Sequence, residues 1–328
     1  MVLMNVIFRS TIAAASLLAI ALSACGAPSQ EGSPGDGPTV ITSFYPLQWA
    51  TQQVMGETDG TVDVLTKPGA DAHGMELSPQ QIASLSDADL IVYLDKLQPE
   101  VNAAVAQAGD RPILNTADAA DLAPVAEGHS HDEHGEEGHE EEGHEEEGHD
   151  AHDHGDFDPH FWQDPERMGK VVTAIADKLA EVNPDAAETY RANAESNVEE
   201  LKTLDKEFAD GLATCERREF ITTHAAFQYL AERYNLEEIG ISGINPDGEP
   251  SPARIAAVHD EAKRHEVTTI FFETLTSDAV AKSIAGDLGL KTAVLDPLEG
   301  VTDKSAGTDY PSIMRANLEA LRSANDCS

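Results

Sequence analysis

Thirteen histidines in a chain of 328 residues fall into two sets. Eight of them, His129, His131, His134, His139, His144, His149, His152 and His154, crowd into residues 127–156 with fourteen acidic side chains and no lysine or arginine. The other five, His73, His160, His224, His259 and His265, are spread along the chain. Imidazole suits divalent transition metals, whereas Ca2+ and Mg2+ prefer all-oxygen shells. His73 and His224 follow strand-like runs, and His160 lies where ordered sequence resumes after the acidic stretch. Three imidazoles and one carboxylate satisfy a four-coordinate ion, Zn2+ above all. Asp296, directly after the run 292–295, is the expected fourth ligand. Glu273, which ends Ile270-Phe271-Phe272, is either its rival or a partner that orients an imidazole. His259 and His265 share a polar helical segment with Lys263 and Arg264 and read as surface residues.

Ligands so far apart in sequence must be brought together by a scaffold. Short runs rich in Val, Ile and Leu at 39–44, 62–66, 90–94 and 113–116 predict strands, with helical patterns at 47–55, 78–85 and 99–108 between them. The same alternation returns with strands at 219–223, 236–241, 268–273 and 291–295 and helices at 225–234 and 252–265. Strand–helix alternation argues for two α/β halves, each a mostly parallel sheet flanked by helices. In such sheets ligands collect at the carboxyl ends of the strands. Two ligands from each half would place one ion in the crevice between them. Asn183-Pro184-Asp185 ends one helix, and a second is expected over 185–213, with its apolar stripe at Tyr190, Ala194, Val198, Leu201, Leu204, Phe208 and Leu212. At 1.5 Å per residue it would run about 43 Å as a stiff spine that keeps movement between the halves small.

Sixty acidic against 21 basic side chains give a formal charge of −39, which repels nucleic acid and attracts cations. With 41% hydrophobic and 25% charged residues the chain is globular rather than wholly disordered. Residues 1–24 read as an export signal whose apolar run is too short to span ~30 Å of hydrocarbon. Leu22-Ser23-Ala24-Cys25 has the form of a bacterial lipobox, which would lipidate Cys25 and leave a tether at 25–37. Export places Cys215 and Cys327 in an oxidising compartment, where a disulfide is expected. The expected division is a lobe at 38–183, a linking helix at 184–213 and a second lobe at 214–328. Residues 127–156 repeat Gly-His-Glu-Glu-Glu from Gly138 and again from Gly143. They cannot bury a core, so disorder and weak cation collection are expected.

Gly69-Ala70-Asp71-Ala72-His73, Asp158-Pro159-His160-Phe161-Trp162, Thr223-His224-Ala225-Ala226-Phe227, Pro246-Asp247-Gly248-Glu249-Pro250-Ser251-Pro252 and Leu295-Asp296-Pro297-Leu298 occur in that order. With these motifs the chain resembles the metal-binding solute-binding proteins of ABC importers, the cluster A-I type. The resemblance implies two lobes with roughly four-stranded sheets, a connecting helix, and delivery of one ion by a lipid-anchored or periplasmic monomer to a permease of the cytoplasmic membrane. Zinc-type members often carry a His- and acid-rich loop between the first two ligand motifs. Manganese-type members typically place Glu where this chain has His224, so Zn2+ is expected and Mn2+ is the alternative. The fourth position varies in that family among Asp, Glu and water; Ala72 cannot coordinate, which leaves Asp296. Some relatives are adhesins, and a surface zinc buffer or adhesin is a further reading. A zinc hydrolase would need an open water position and a base such as Glu273. Neither His-Glu-x-x-His nor Gly-x-Ser-x-Gly occurs, so no enzymatic activity is expected.

Overall fold

A computed structural model describes residues 37–67, 69–125, 157–246 and 248–328. The signal segment, Cys25 and the eight histidines of the acidic stretch lie outside them. The first half runs β1 (Thr39–Thr42), α1 (Tyr45–Met55), β2 (Thr61–Val64), α2 (Pro79–Asp87), β3 (Leu90–Tyr93), α3 (Pro99–Val105), β4 (Ile113–Asn115) and α4 (Ala117–Ala120). A 3-10 turn at Phe161–Gln163 leads into α5 (Pro165–Val182) and then α6 (Ala187–Leu212). The second half runs β5 (Glu219–Thr222), α7 (Gln228–Tyr234), β6 (Glu237–Gly240), α8 (Pro252–Arg264), β7 (Thr269–Phe272), α9 (Ala279–Leu288), β8 (Lys291–Val294) and α10 (Tyr310–Ala324).

Both sheets are parallel, with orders β2-β1-β3-β4 and β6-β5-β7-β8. Neighbouring side chains of a strand point to opposite faces, and the two faces feed different cores. Val40, Leu90, Val92, Phe220 and Phe271 enter a central core that takes residues from both halves. Ile41 and Ile91 turn outward to a smaller cluster with Leu85 and Val101, beneath α2 and α3. Ile221 and Ile270 do the same with Val258 and Ile284, beneath α8 and α9. Strands buried on both faces are what all-parallel sheets require, hence their continuous apolar runs.

The linking helix does more than span. At 26 residues α6 is about 39 Å long, and Tyr190, Ala194, Asn197, Leu201, Leu204, Phe208 and Leu212 are buried along it. It lies against α1, α5 and α10, so its stripe is part of the central core. Asp164 caps α5 by accepting a hydrogen bond from the Glu166 amide at 2.8 Å, with Pro165 at the first helical position. A disulfide joins Cys215 to Cys327, 112 residues apart, and pins the end of α10 to the link between α6 and β5. Among the described residues no helix is long and apolar enough to cross a membrane.

Candidate metal centre

His73 lies in the loop after β2, His160 immediately before the 3-10 turn, His224 two residues beyond β5, and Glu299 in the loop after β8. All four are buried, and one ligand atom from each lies within 4.8 Å of every other. The Nε2 atoms of His73, His160 and His224 stand 3.2, 3.4 and 3.4 Å from Glu299 Oε1. His160 and His73 face each other, Nε2 to Nε2, at 3.3 Å. A tetrahedron with metal–ligand bonds of about 2.0–2.1 Å has edges of about 3.3–3.4 Å. Four of the six edges, at 3.2, 3.3, 3.4 and 3.4 Å, match that figure to within about 0.2 Å, and the remaining two are within 4.8 Å.

Two of the three imidazoles, those of His160 and His224, are aimed from behind. His160 Nδ1 meets Asp158 Oδ1 at 2.7 Å, and His224 Nδ1 meets Glu273 Oε1 at 2.5 Å. A carboxylate on Nδ1 fixes the proton there and leaves Nε2 as the free donor. Glu273 also accepts from Thr223 Oγ1 at 3.0 Å. Glu238 accepts from the amides of Ala226 and Phe227 at 3.2 and 3.0 Å, which fixes the turn after His224. A Cβ on Gly240 would come within 2.7 Å of Ser242 O and 3.1 Å of Ala225 Cβ, so only glycine lets β6 pass this close to that turn. Behind His160 stands Trp162, ring centroids 5.2 Å apart, and Phe44 packs edge-on against Trp162 at 4.8 Å.

Asp296 is buried but is not among the clustered ligands. Its Oδ1 accepts from the Leu298 amide at 2.9 Å, and Thr274 Oγ1 approaches Oδ2 at 3.4 Å. The carboxylate at the imidazoles belongs to Glu299, three residues on, which the sequence reading passed over. A signal was present. Asp71 accepts from the amide of His73 at 2.7 Å, and Asp158 from that of His160 at 2.8 Å. Aspartates in such turns bind the backbone two residues on, so Asp296 before Pro297 fits the same role and points the search beyond itself. Glu273 orients His224 rather than joining the cluster. His265 pairs with Glu219 at 3.0 Å, apart from the site.

The electrostatics are those of a cation trap. Burial opposes charging of His160, but Asp158 and Glu299 outweigh it and push its pKa up to about 9. Burial likewise opposes charging of His224, while Glu273 and Glu299 raise it well above the ordinary value. Glu299 is held well below the carboxylate range despite its burial, by the three imidazoles. Burial and the charge of Glu299 push Asp71 up to about 6. A tetrahedral ion held by all four of these side chains would have no position left for an activated water.

Fold and site together define a class: two-sheet α/β proteins with a buried cluster of three histidines and one glutamate that could hold one metal ion. Residues 40–324 match the family described as ZnuA, zinc-uptake complex component A periplasmic, and the chain belongs to that family. The zinc-binding lipoprotein AdcA of Streptococcus pneumoniae is 37% identical over 329 residues, covering 95% of this chain and 60% of that protein. This chain therefore spans about 60% of the length of that relative. The high-affinity zinc uptake system protein ZnuA of Bacillus subtilis is 38% identical over 320 residues, 95% of each chain. The structure of the Zn(II)-bound ZnuA-like domain of Streptococcus pneumoniae AdcA is similar at a TM-score of 0.71 and 33% identity, over 89% of this chain and all of that one.

Proposed function

We propose that this chain binds one Zn2+ through His73, His160, His224 and Glu299 on the outer face of the cytoplasmic membrane and delivers it to an ABC-type permease. The observation that carries the reading is the buried cluster of three imidazoles and Glu299, four of whose six edges lie between 3.2 and 3.4 Å, which suits a tetrahedral ion with bonds near 2 Å. Three nitrogens and one oxygen favour Zn2+ over Mn2+, which prefers more oxygen. The closed shell supports binding rather than hydrolysis. The names of the B. subtilis and S. pneumoniae relatives, one a zinc uptake protein and one a zinc-binding lipoprotein, support both the cargo and the location.

In this reading residues 1–24 direct export, Cys25 carries the lipid, and 25–37 tether a monomer divided into 38–183, the linking helix 184–213 and 214–328. The histidines of 127–156 gather Zn2+ weakly and raise its concentration beside the site. The test is a competition titration of protein beginning after Cys25, with and without residues 127–156. One tight Zn2+ that survives the deletion, is lost in His224→Ala and resists excess Mn2+ is expected. Zinc held only by 127–156, or a preference for Mn2+, would sink the reading.

A further inference from the structure

Leu298 is fully buried yet sits at φ +61°, a backbone region that a bulky side chain rarely adopts. Such a conformation persists only where its surroundings fix it. Three sets of contacts do so here. Asp296 Oδ1 accepts from the Leu298 amide at 2.9 Å. Asn317 brackets Asp296 from α10, accepting from its amide at 2.9 Å and donating to its carbonyl at 2.7 Å. The carbonyl of Pro297 accepts from both Trp162 Nε1 and Gln163 Nε2, each at 2.7 Å.

The last contact joins two ligand segments. Trp162 and Gln163 belong to the 3-10 turn that starts beside His160, whereas Pro297 lies in the loop from β8 that carries Glu299. Trp162 is itself held: its carbonyl accepts from Tyr310 Oη at 2.6 Å, and Tyr310 stacks on Trp49 at 4.7 Å. Gln163 is fully buried, and its Oε1 has no hydrogen-bond partner among the described residues. Its contribution there is the amide N–H alone.

We propose that Trp162 and Gln163 are positioning residues for Glu299: their joint grip on the Pro297 carbonyl maintains the left-handed turn that aims Glu299 at the cation, and loss of that grip frees the cation. The inference rests on the reading of the site as a Zn2+ site. A small relative movement of the His160 segment and the β8 loop breaks both bonds together. Leu298 then relaxes to negative φ, and Glu299 turns away while the three imidazoles stay in place. Release therefore begins at the carboxylate.

The test is a stopped-flow measurement of Zn2+ release to a chelator, together with the d–d absorption of the Co2+-loaded protein. Trp162→Phe and Gln163→Leu, singly and together, are compared in the Glu299 protein and in a Glu299→Gln background. With Glu299 present, the double variant is expected to release Zn2+ at least about tenfold faster, the scale of outer-shell changes at metal sites. Its Co2+ spectrum should move toward that of Glu299→Gln. In the Glu299→Gln background the same substitutions should alter release by less than about twofold, because residues acting through one group are not additive. Equal acceleration in both backgrounds, or none in either, would overturn the proposal while leaving the site intact. Wild-type release unaltered by Glu299→Gln would overturn the site reading and the proposal with it. If the double variant does not fold, Gln163→Leu alone decides, since it removes the donor together with an orphaned buried acceptor.

Discussion

Asp296 Oδ1 lies 2.9 Å from the amide nitrogen of Leu298 in a hydrogen bond, and its carboxylate is not among the groups clustered with the three imidazoles. Asp71 and Asp158 make the same bond to His73 and His160. Three turns of one kind therefore present the site. In two of them the residue whose amide is bound is itself a ligand, and in the third the ligand comes one residue later.

Asp296→Asn keeps an Oδ1 that can accept from Leu298, so Zn2+ affinity should change by less than about tenfold, at the low end for outer-shell substitutions. Glu299→Gln should weaken binding by more than about 100-fold, beyond the outer-shell range. Competition titration of the two variants decides which carboxylate holds the ion.

Removing the carboxylate behind an imidazole should cost about 10- to 100-fold in Zn2+ affinity without altering stoichiometry. Glu273→Ala and Asp158→Ala test this at His224 and His160. Nitrogen-15 chemical shifts of the imidazoles should show loss of the fixed Nδ1–H form in each variant.

Proton competition should extend well above the range of free imidazole. His160 has a folded-state pKa of about 9, raised from 6.5. Its protonation stabilises the metal-free fold fully below about pH 6.5, and that contribution disappears as pH rises through about 9. The melting temperature of metal-free protein should therefore fall across this window while the gain on adding Zn2+ grows. Calorimetry at pH 7 in buffers of different ionisation enthalpy should show proton release on binding, including the His160 proton. A gain on adding Zn2+ that stays flat with pH, together with no proton release, would contradict this account.

Replacing Cys215 and Cys327 by serine opens a loop of more than 100 residues, worth about 4–5 kcal/mol in the chain-entropy model. The melting temperature should drop by roughly 8–20 °C at about 2–4 °C per kcal/mol. Cys215 precedes β5 and His224 follows it, so the bridge and the ligand lie at opposite ends of that strand. Zn2+ affinity should be unchanged.

Deleting residues 127–156 should preserve both the fold and the tight site. Pro124 and Phe157 already pair as an antiparallel bridge, and Asp158 donates to the carbonyl of Ala123 at 3.0 Å. Tyr229 Oη holds the same junction, donating to Asp158 O at 2.6 Å and accepting from the Ala123 amide at 2.8 Å. A short turn suffices to rejoin the ends. Equilibrium dialysis should lose only the weak Zn2+ sites.

All eight strands were legible from short Val-, Ile- and Leu-rich stretches between helical patterns; the runs are most continuous in the central strands β1, β3, β5 and β7, and weaker at the sheet edges, where β2 carries Asp63 and β6 begins Glu237-Glu238. The start of α7 was not. Ala225, Ala226 and Phe227 have helical composition, yet Glu238, distant in sequence, takes two of their amides and holds them in a turn. Three imidazoles were legible from their places after strands and motifs. Glu299 was signalled only indirectly, by the turn that Asp296 forms like Asp71 and Asp158; the left-handed Leu298 beside it is what no local preference foretells. The role of Glu273 could be narrowed to two choices, and only the 2.5 Å contact with His224 distinguishes them.

The two sheets have the same strand order, so their positions correspond one to one. His224, two residues past β5, corresponds to Phe44, two residues past β1; Glu273, just past β7, corresponds to Leu94, just past β3. The same platform is used twice, once with polar and once with apolar side chains, all of them buried. One copy offers a basic nitrogen and the acid behind it. The other offers two fully buried apolar side chains, one of which supports the Trp162 ring beside His160. Through Phe44 and Trp162 the apolar positions of the first half thus contribute a low-dielectric wall beside His160, and a low local dielectric strengthens the charge interactions made there.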